Sequence, residues 1–596
     1  AVGRAALSTD TKGNKSTAIG QGTLNGQNFT TSTDTFNTAV GFFAGLAVTT
    51  GTFNTFIGGL AGDALTDADF NVAVGTNALT TDTLGSKSTA IGHAALTTQN
   101  FGTATDTFNT AVGFAAGSAV TSGKENTMIG ALAGDALTTG EANTAVGYRS
   151  LSASNTAGSN VAIGTNSMLS DTKGAKNTAV GYGTLFTQNL TTATDSFNTA
   201  VGFDAGTAIT TGTFNTLIGG LAGDALTDAD DNVAIGTAAL STDTLGSNTV
   251  AIGKNALFAQ NFTTATDSYN IAVGYHAGIA VTTGQFNNLI GGLAGDALNT
   301  GTRNVALGNS ALSTDTKGSK SVAIGPNALF AQNFSTATDT FNTAVGADAG
   351  LAVTTGIKNV LIGANAGQAL TDADFNTAVG RESLGADTLG SKSTAIGTNA
   401  LSAQNFTTAT DSNNTAVGFV AGQAITTGTD NTIIGSIAGN ALTVGTRNVA
   451  VGLDALGADT KGSNTVAIGR SALATQNFTT ATQSHNTAVG DFAGAAVTTG
   501  VRNTIMGSSA GDALNTGQEN VAFGYNALTS CTKGLRSTAI GVSTLETQNF
   551  TTAANSHNTA VGYHAGKGVT SGTQNTFLGG LAGDATTTTS DNVAIG

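Results

Sequence analysis

Residues 37–62 read NTAVGFFAGLAVTTGTFNTFIGGLAG. The stretch writes NTxxG twice and AG twice, each pair seventeen residues apart, without one charged side chain. Outward from it, the glycine closing each N/S-T/V-x-V/I-G motif recurs at Gly3, Gly20, Gly41, Gly58, Gly75, Gly92 and Gly113 and onward to Gly579 and Gly596. It occurs thirty-four times, at intervals of 17 or 21 residues only. One interval of 21 and three of 17 make a 72-residue unit that returns from Gly181 to Gly253, Gly325, Gly397, Gly469 and Gly541, while Gly92 to Gly181 carries an additional 17. A fixed period of this size marks a stack of repeats, each burying its apolar face on its neighbours.

Each motif alternates in the manner of a short strand: in NTAVG, Thr and Val share one face and Asn, Ala and Gly the other. Because Val or Ile dominates the fourth place, that face is expected to line the interior. The glycine frequency and the β-branched residues exclude a helix. The second apolar piece of each repeat, such as AGLAVTTG or NALTTDTLG, is expected to supply another strand or a corner. Seventeen residues suffice for one coil of a narrow solenoid but not for a hairpin plus a helix.

The predicted fold is therefore all-β, a parallel β-solenoid of 17- and 21-residue coils in 72-residue super-repeats. It is expected to run as one continuous array over 1–596, itself a piece of a longer array. At ~4.8 Å per coil the array would be roughly 160 Å long. The recurring first-place Asn (Asn37, Asn54, Asn71, Asn109) is expected to form a side-chain amide ladder.

Composition narrows the function classes. Charged residues are 10% of the chain, against about 25% in an ordinary globular domain. The net charge is −15, and the 22 Lys and Arg are scattered singly, so no basic patch exists to follow a phosphate backbone and nucleic acid is not an expected partner. No apolar run approaches the roughly 20 residues of a membrane span, so no membrane insertion is expected in this segment. A composition of 40% hydrophobic residues in strict register argues against disorder. The one cysteine, Cys531, stands in TSCTKG where sister repeats read STDTKG, and is read as an inert substitution at a turn.

The motifs STAIGHAAL (88–96) and VAIGTNSML (161–169), with their counterparts throughout the chain, resemble the head repeats of YadA-like trimeric autotransporter adhesins. They are also similar to repeats in phage tail fibres and large secreted bacterial surface proteins. The resemblance covers essentially the whole chain. It implies a left-handed parallel β-roll, display outside the cell on a cell or virion surface, and a homotrimer. The coils here are longer than those usual in that family, and no neck, coiled-coil stalk or membrane anchor lies in this segment.

Two features recur once per super-repeat. The third motif place is usually Ala, but is large at Phe56, Met128, Leu217, Leu289, Leu361, Ile433, Ile505 and Phe577. Evenly spaced apolar knobs next to the small GGLAGDAL segment are expected to be contacts between parallel copies of the chain. The alternative is a wider coil in which the third place points inward. The expanded coils carry QNF or its variant, with Phe29, Phe101, Leu190, Phe262, Phe334, Phe406, Phe478 and Phe550. These are expected to form a ridge, whose apolar residue either binds a ligand or lateral neighbour or folds back over a local pocket.

Catalytic and metal chemistry find no support. Asp63, Asp135, Asp224 and Asp296 of the GGLAGDAL-type segments return too rarely to share calcium between successive turns, and the DAD triplets (Asp67 and Asp69, Asp228 and Asp230, Asp372 and Asp374) read as solvated turns. The histidines His93, His276, His485, His557 and His564 form no ligand set. A β-helical lyase or hydrolase would interrupt its repeat to build a carboxylate-lined cleft, which this chain does not do. Thr at the second place gives way to Val at Val72, Val161, Val233 and Val305 and is expected inside, which speaks against an ice-binding plane. The reading is a non-enzymatic protein without cofactor or metal: the structural shaft of an extracellular homo-oligomeric fibre or surface appendage supporting adhesion. Its partners are copies of itself and a receptor on a host or cell surface. The alternative is a phage tail-fibre or tailspike-type carbohydrate-binding protein.

Overall fold

The computed structural model describes all residues, Ala1–Gly596. They fall into two units, Ala1–Thr300 and Gly301–Gly596, each built on the same plan. Every regular element in either unit is a β-strand.

In the first unit, three-residue strands such as Thr38–Val40, Thr55–Ile57 and Val72–Val74 stack in parallel and in register. Thr38 lies opposite Thr55, Ala39 opposite Phe56 and Val40 opposite Ile57. In the second, Thr343–Val345, Val360–Ile362 and Thr377–Val379 repeat the arrangement. Within each unit a step of 17 or 21 residues is thus one coil laid on its predecessor, as the period predicts.

Of the strand or corner expected in AGLAVTTG and NALTTDTLG, the chain makes the corner: these segments are turns and bends up to Gly85, which opens a two-residue strand. The seventh, ninth and last places of each coil lie in the left-handed region, as at Phe43, Gly45 and Phe53 with φ of 56°, 60° and 58°. Such residues break a strand and re-aim the chain, so three per coil make corners. A second pair of strands forms only at the expanded coils, for example Gly85–Ser86 with Thr105–Asp106.

The sheet is turned inside out relative to the sequence expectation. The third place, not the fourth, faces the core: Ala39, Phe56 and Ala73 are fully buried, whereas Ile57 is 40% exposed. The first-place Asn explains the inversion. A buried amide must be hydrogen-bonded, and it is. Asn54 Nδ2 donates to the Ala68 carbonyl at 2.8 Å in its own coil, and Asn54 Oδ1 accepts from the Asn71 backbone N–H of the next coil at 2.9 Å. The first and third places share a face, so pinning the Asn inside carries Ala or Phe inside with it.

The asparagines do stack, but the strong bonds run from side chain to backbone. Direct amide-to-amide contacts are longer in places, 3.4 Å for Asn54 Nδ2 to Asn37 Oδ1.

The eight large third-place residues are consequently core, not contacts between chains. Phe56, Met128, Leu217, Leu289, Leu361, Ile433, Ile505 and Phe577 are buried. Their size is matched by glycine. A Cβ at Gly45 would lie 2.7 Å from Phe56 Cδ2, and one at Gly62 2.5 Å from Phe56 Cε1. In coils away from the large residue, such as those of Ala73 and Ala90, the ninth place carries Leu79 or Leu96, also fully buried, whereas the Ala39 coil keeps Gly45 at its ninth place to admit Phe56 from the next coil. One interior volume is filled from either corner, which is why AG appears twice around Phe56 in the stretch quoted first. Close packing of this kind tolerates neither a void nor an extra methylene.

Candidate functional site

With the third place inside, the second and fourth places form the outer face of the main sheet. Fourth-place Ile57, Ile91, Ile129 and Ile218 are 38–40% exposed, and the second-place threonines beside them are half-buried. The threonines expected inside therefore line the outside, but Val72, Val161, Val233 and Val305 interrupt them, so they make no unbroken hydroxyl array.

Aromatic residues flank the strands. On one side, Phe36, Phe53 and Phe70, the last residues of their coils, stack with ring centroids 5.2 and 5.0 Å apart. On the other, sixth-place Tyr182 and Phe203 stack at 5.5 Å, and Phe42 and Phe114 are more than half exposed. Single exposed apolar residues are ordinary on any protein; an apolar strip repeated coil after coil is not.

The expanded coils place their aromatic inward. Phe29, Phe101, Leu190, Phe262, Phe334, Phe406, Phe478 and Phe550 are 5–7% exposed. A Cβ on Gly246 would meet Phe262 Cδ2 at 2.8 Å, so the ring closes the coil over the glycine of the preceding turn. Of the two outcomes weighed for this ridge, the aromatic has folded back. What projects is the polar tip, such as Gly102, Thr103 and Ala104.

Beside that ring lies a buried polar chain that sequence reasoning missed. Asp243 Oδ2 accepts from Gln260 Nε2 at 2.6 Å, and Gln260 Oε1 accepts from Asn270 Nδ2 at 2.8 Å. Asp243 Oδ1 accepts from the Gly246 and Phe262 backbone N–H groups, both at 3.1 Å. The same Asp–Gln–Asn chain recurs at Asp82, Gln99 and Asn109 and at Asp315, Gln332 and Asn342. The signal was in the sequence, as the D of STDTKG and the Q of QNF seventeen residues on. Each was read separately, as a turn residue and as part of a ridge.

Cys531 occupies the aspartate's place in the last such chain, with Gln548 Nε2 donating to its Sγ at 3.5 Å. It is fully buried, and burial pushes its thiol pKa up, which keeps it protonated and inert.

Burial also raises the pKa of Asp171, Asp243, Asp315 and Asp459 above the ordinary 3.8, against the opposing pull of their hydrogen bonds. A carboxyl whose pKa is raised on folding binds its proton more tightly in the folded state. Stability then rises as pH falls toward 3.8 and is lowest where these groups are all ionised. Asp491 and Glu519, whose pKa values Arg470 and Arg536 lower, lose their contribution only below the ordinary carboxylate range. The melting temperature, read by circular dichroism in about 0.5 M salt to screen the net charge, is expected to be higher near pH 5 than near pH 8. A melting temperature lower near pH 5 than near pH 8 would contradict the buried network.

The DAD carboxylates serve coil-to-coil bonding: Asp69 Oδ1 accepts from Thr52 N and Oγ1 at 2.7 and 2.8 Å. No helix is long and apolar enough to cross a membrane. In architecture the chain belongs to the parallel β-solenoid repeat proteins. No protein-family model matches it, and no curated protein matches it.

Proposed function

We propose that this chain is the shaft of an extracellular homo-oligomeric fibre or surface appendage, non-enzymatic, whose copies associate along the exposed face of the main sheet. The observation that carries this reading is the unbroken strip of exposed apolar fourth-place residues, mostly Val and Ile, flanked at intervals by short aromatic stacks. A partner covering it must present matching apolar groups once per ~4.8 Å rung, and a second copy in parallel does so at every rung. From the last place of one coil to the sixth of the next the strip is about 20 Å wide, so about fifteen rungs expose on the order of 1,500 Å². That exceeds the ~800 Å² per partner of a stable interface. The scarcity of charge lowers the desolvation cost of closing the face.

Resemblance to YadA-like adhesin heads adds the trimer, display on a cell or virion surface and support of an adhesive function toward a host or cell-surface receptor. The tail-fibre alternative uses the same shaft.

The test is mass in solution. By sedimentation or light scattering the protein is expected to be an oligomer, and Ile218→Asp combined with Ile235→Asp to shift it toward monomer with β-sheet circular dichroism retained. A monomeric wild-type protein, or an oligomer indifferent to both charges, would sink the proposal.

A further inference from the structure

Once per super-repeat, at the edge of the exposed face, the first unit builds an internal site for an ammonium group. Lys15 Nζ lies 4.7 Å from the Phe36 ring centre and 2.7 Å from Asp34 Oδ2. Lys87 sits 5.1 Å from Phe108 and 2.6 Å from Asp106, and Lys176 sits 5.0 Å from Phe197 and 2.6 Å from Asp195. The second unit repeats the arrangement with Lys320, Phe341 and Asp339. In each, an aromatic face and a carboxylate converge on one cation.

One super-repeat keeps the receptor and lacks the cation. Asp267 stands where Asp34, Asp106 and Asp195 stand, and Tyr269 replaces the Phe, but the lysine position is Asn248. Asn248 reaches Asp267 Oδ1 at 2.9 Å and is too short to extend over the ring. The space is open: a groove of about 320 Å³ is lined by Asp231, Asn248, Val250, Tyr269 and Ile271. Tyr269 stacks on Phe286 at 5.6 Å, which leaves its other face to the groove, and its hydroxyl lies 3.4 Å from Asp267 Oδ2.

Two further substitutions reshape the same spot. Asp231 adds an exposed carboxylate where the corresponding places before Lys87 and Lys176 hold Phe70 and Ser159. Ile271 replaces the Thr of Thr38, Thr110 and Thr199, which makes the floor more apolar.

We propose that this groove binds an external organic ammonium group, its alkyl part on Val250 and Ile271 and its charge between the Tyr269 ring and the carboxylates of Asp231 and Asp267. The ammonium belongs either to a lysine side chain of a protein or to an amino sugar. This goes beyond the shaft reading and does not depend on it, but Val250 and Ile271 lie on the same exposed face, so a copy of the chain seated on these rungs would compete with the amine for the groove.

The experiment is ligand-observed NMR on the intact protein with Nα-acetyl-lysine methylamide and with glucosamine, each against its neutral N-acetylated counterpart. A charged amine is expected to bind and its neutral counterpart not to. Whichever of the two charged amines binds more tightly identifies the source. Asn248→Lys, which restores the sister arrangement, should weaken binding at least about fivefold with the melting temperature unchanged or raised. Asp231→Asn, at an exposed position, should weaken it as well. Binding of N-acetylglucosamine equal to that of glucosamine would show a neutral sugar-stacking site and overturn the proposal. So would undiminished binding to Asn248→Lys, or no binding of either amine.

Discussion

Leu217→Asp is expected to unfold the coils on either side of it, whereas Asp at the very next residue, Ile218, should leave the β-sheet intact. Leu217 is fully buried between two glycines; a Cβ at Gly206 would lie 2.7 Å from one of its methyl carbons and a Cβ at Gly223 2.8 Å from the other. Truncating such a side chain costs about 2–5 kcal/mol, and a carboxylate in its place adds the desolvation of an unpaired charge. Ile218 is 38% exposed, so its carboxylate stays in water. Because coils in a stack are stabilised by their nearest neighbours, the loss should be local. Hydrogen exchange would register it as lost protection in coils adjoining Leu217. Equal protection patterns for the two variants would mean that the sheet faces have been assigned wrongly. Leu289 and Leu361, buried in the same way, should behave as Leu217 does and not as contact residues whose replacement leaves the coil whole.

That contrast locates the limit of what the sequence discloses. The spacing of Gly41, Gly58 and Gly75 is enough to specify parallel coils in register, since nothing but stacking demands a constant interval. Which face of NTAVG turns inward is a different matter. Hydrophobicity favours Val40 over Ala39, and it misleads because the interior of so narrow a coil is chosen by hydrogen bonding at Asn37. Its amide meets the Gly51 carbonyl at 2.7 Å and the Asn54 backbone N–H at 2.9 Å. The valines and isoleucines left outside are then unexplained by the chain's own packing, and that surplus is what makes the outer face a candidate interface. The Asp–Gln–Asn chain escaped notice for a related cause. Its members sit in segments composed like turns, and only the coil geometry shows Asp243 and Gln260 buried together. The ammonium groove was hidden further, since it is defined by departures at Asp231, Asn248, Tyr269 and Ile271 that meet only when coils are stacked.

Gly236→Ala is the second substitution expected to be severe, and it tests the stacking itself. Gly236 has φ of 130°, a region open to glycine and strained for any L side chain. Its added Cβ would lie 2.6 Å from the Gly253 carbonyl oxygen and 2.7 Å from the Gly253 carbonyl carbon, both backbone atoms of the next coil. Neither can move aside as a flexible side chain could, because Gly253 N–H is itself bonded to the Ile235 carbonyl at 2.7 Å. Backbone strain of about 1–3 kcal/mol and overpacking of a further 1–3 kcal/mol give a loss of about 2–6 kcal/mol. Gly102→Ala is the control. Its Cβ would meet nothing within 4 Å, and its φ is not in the positive region, so the change should lie within about 0.5 kcal/mol of neutral. Denaturant unfolding of the two variants beside the parent reads the difference directly. Equal midpoints for Gly236→Ala and Gly102→Ala would mean that Gly253 does not lie against Gly236, and consecutive coils would then not be in contact.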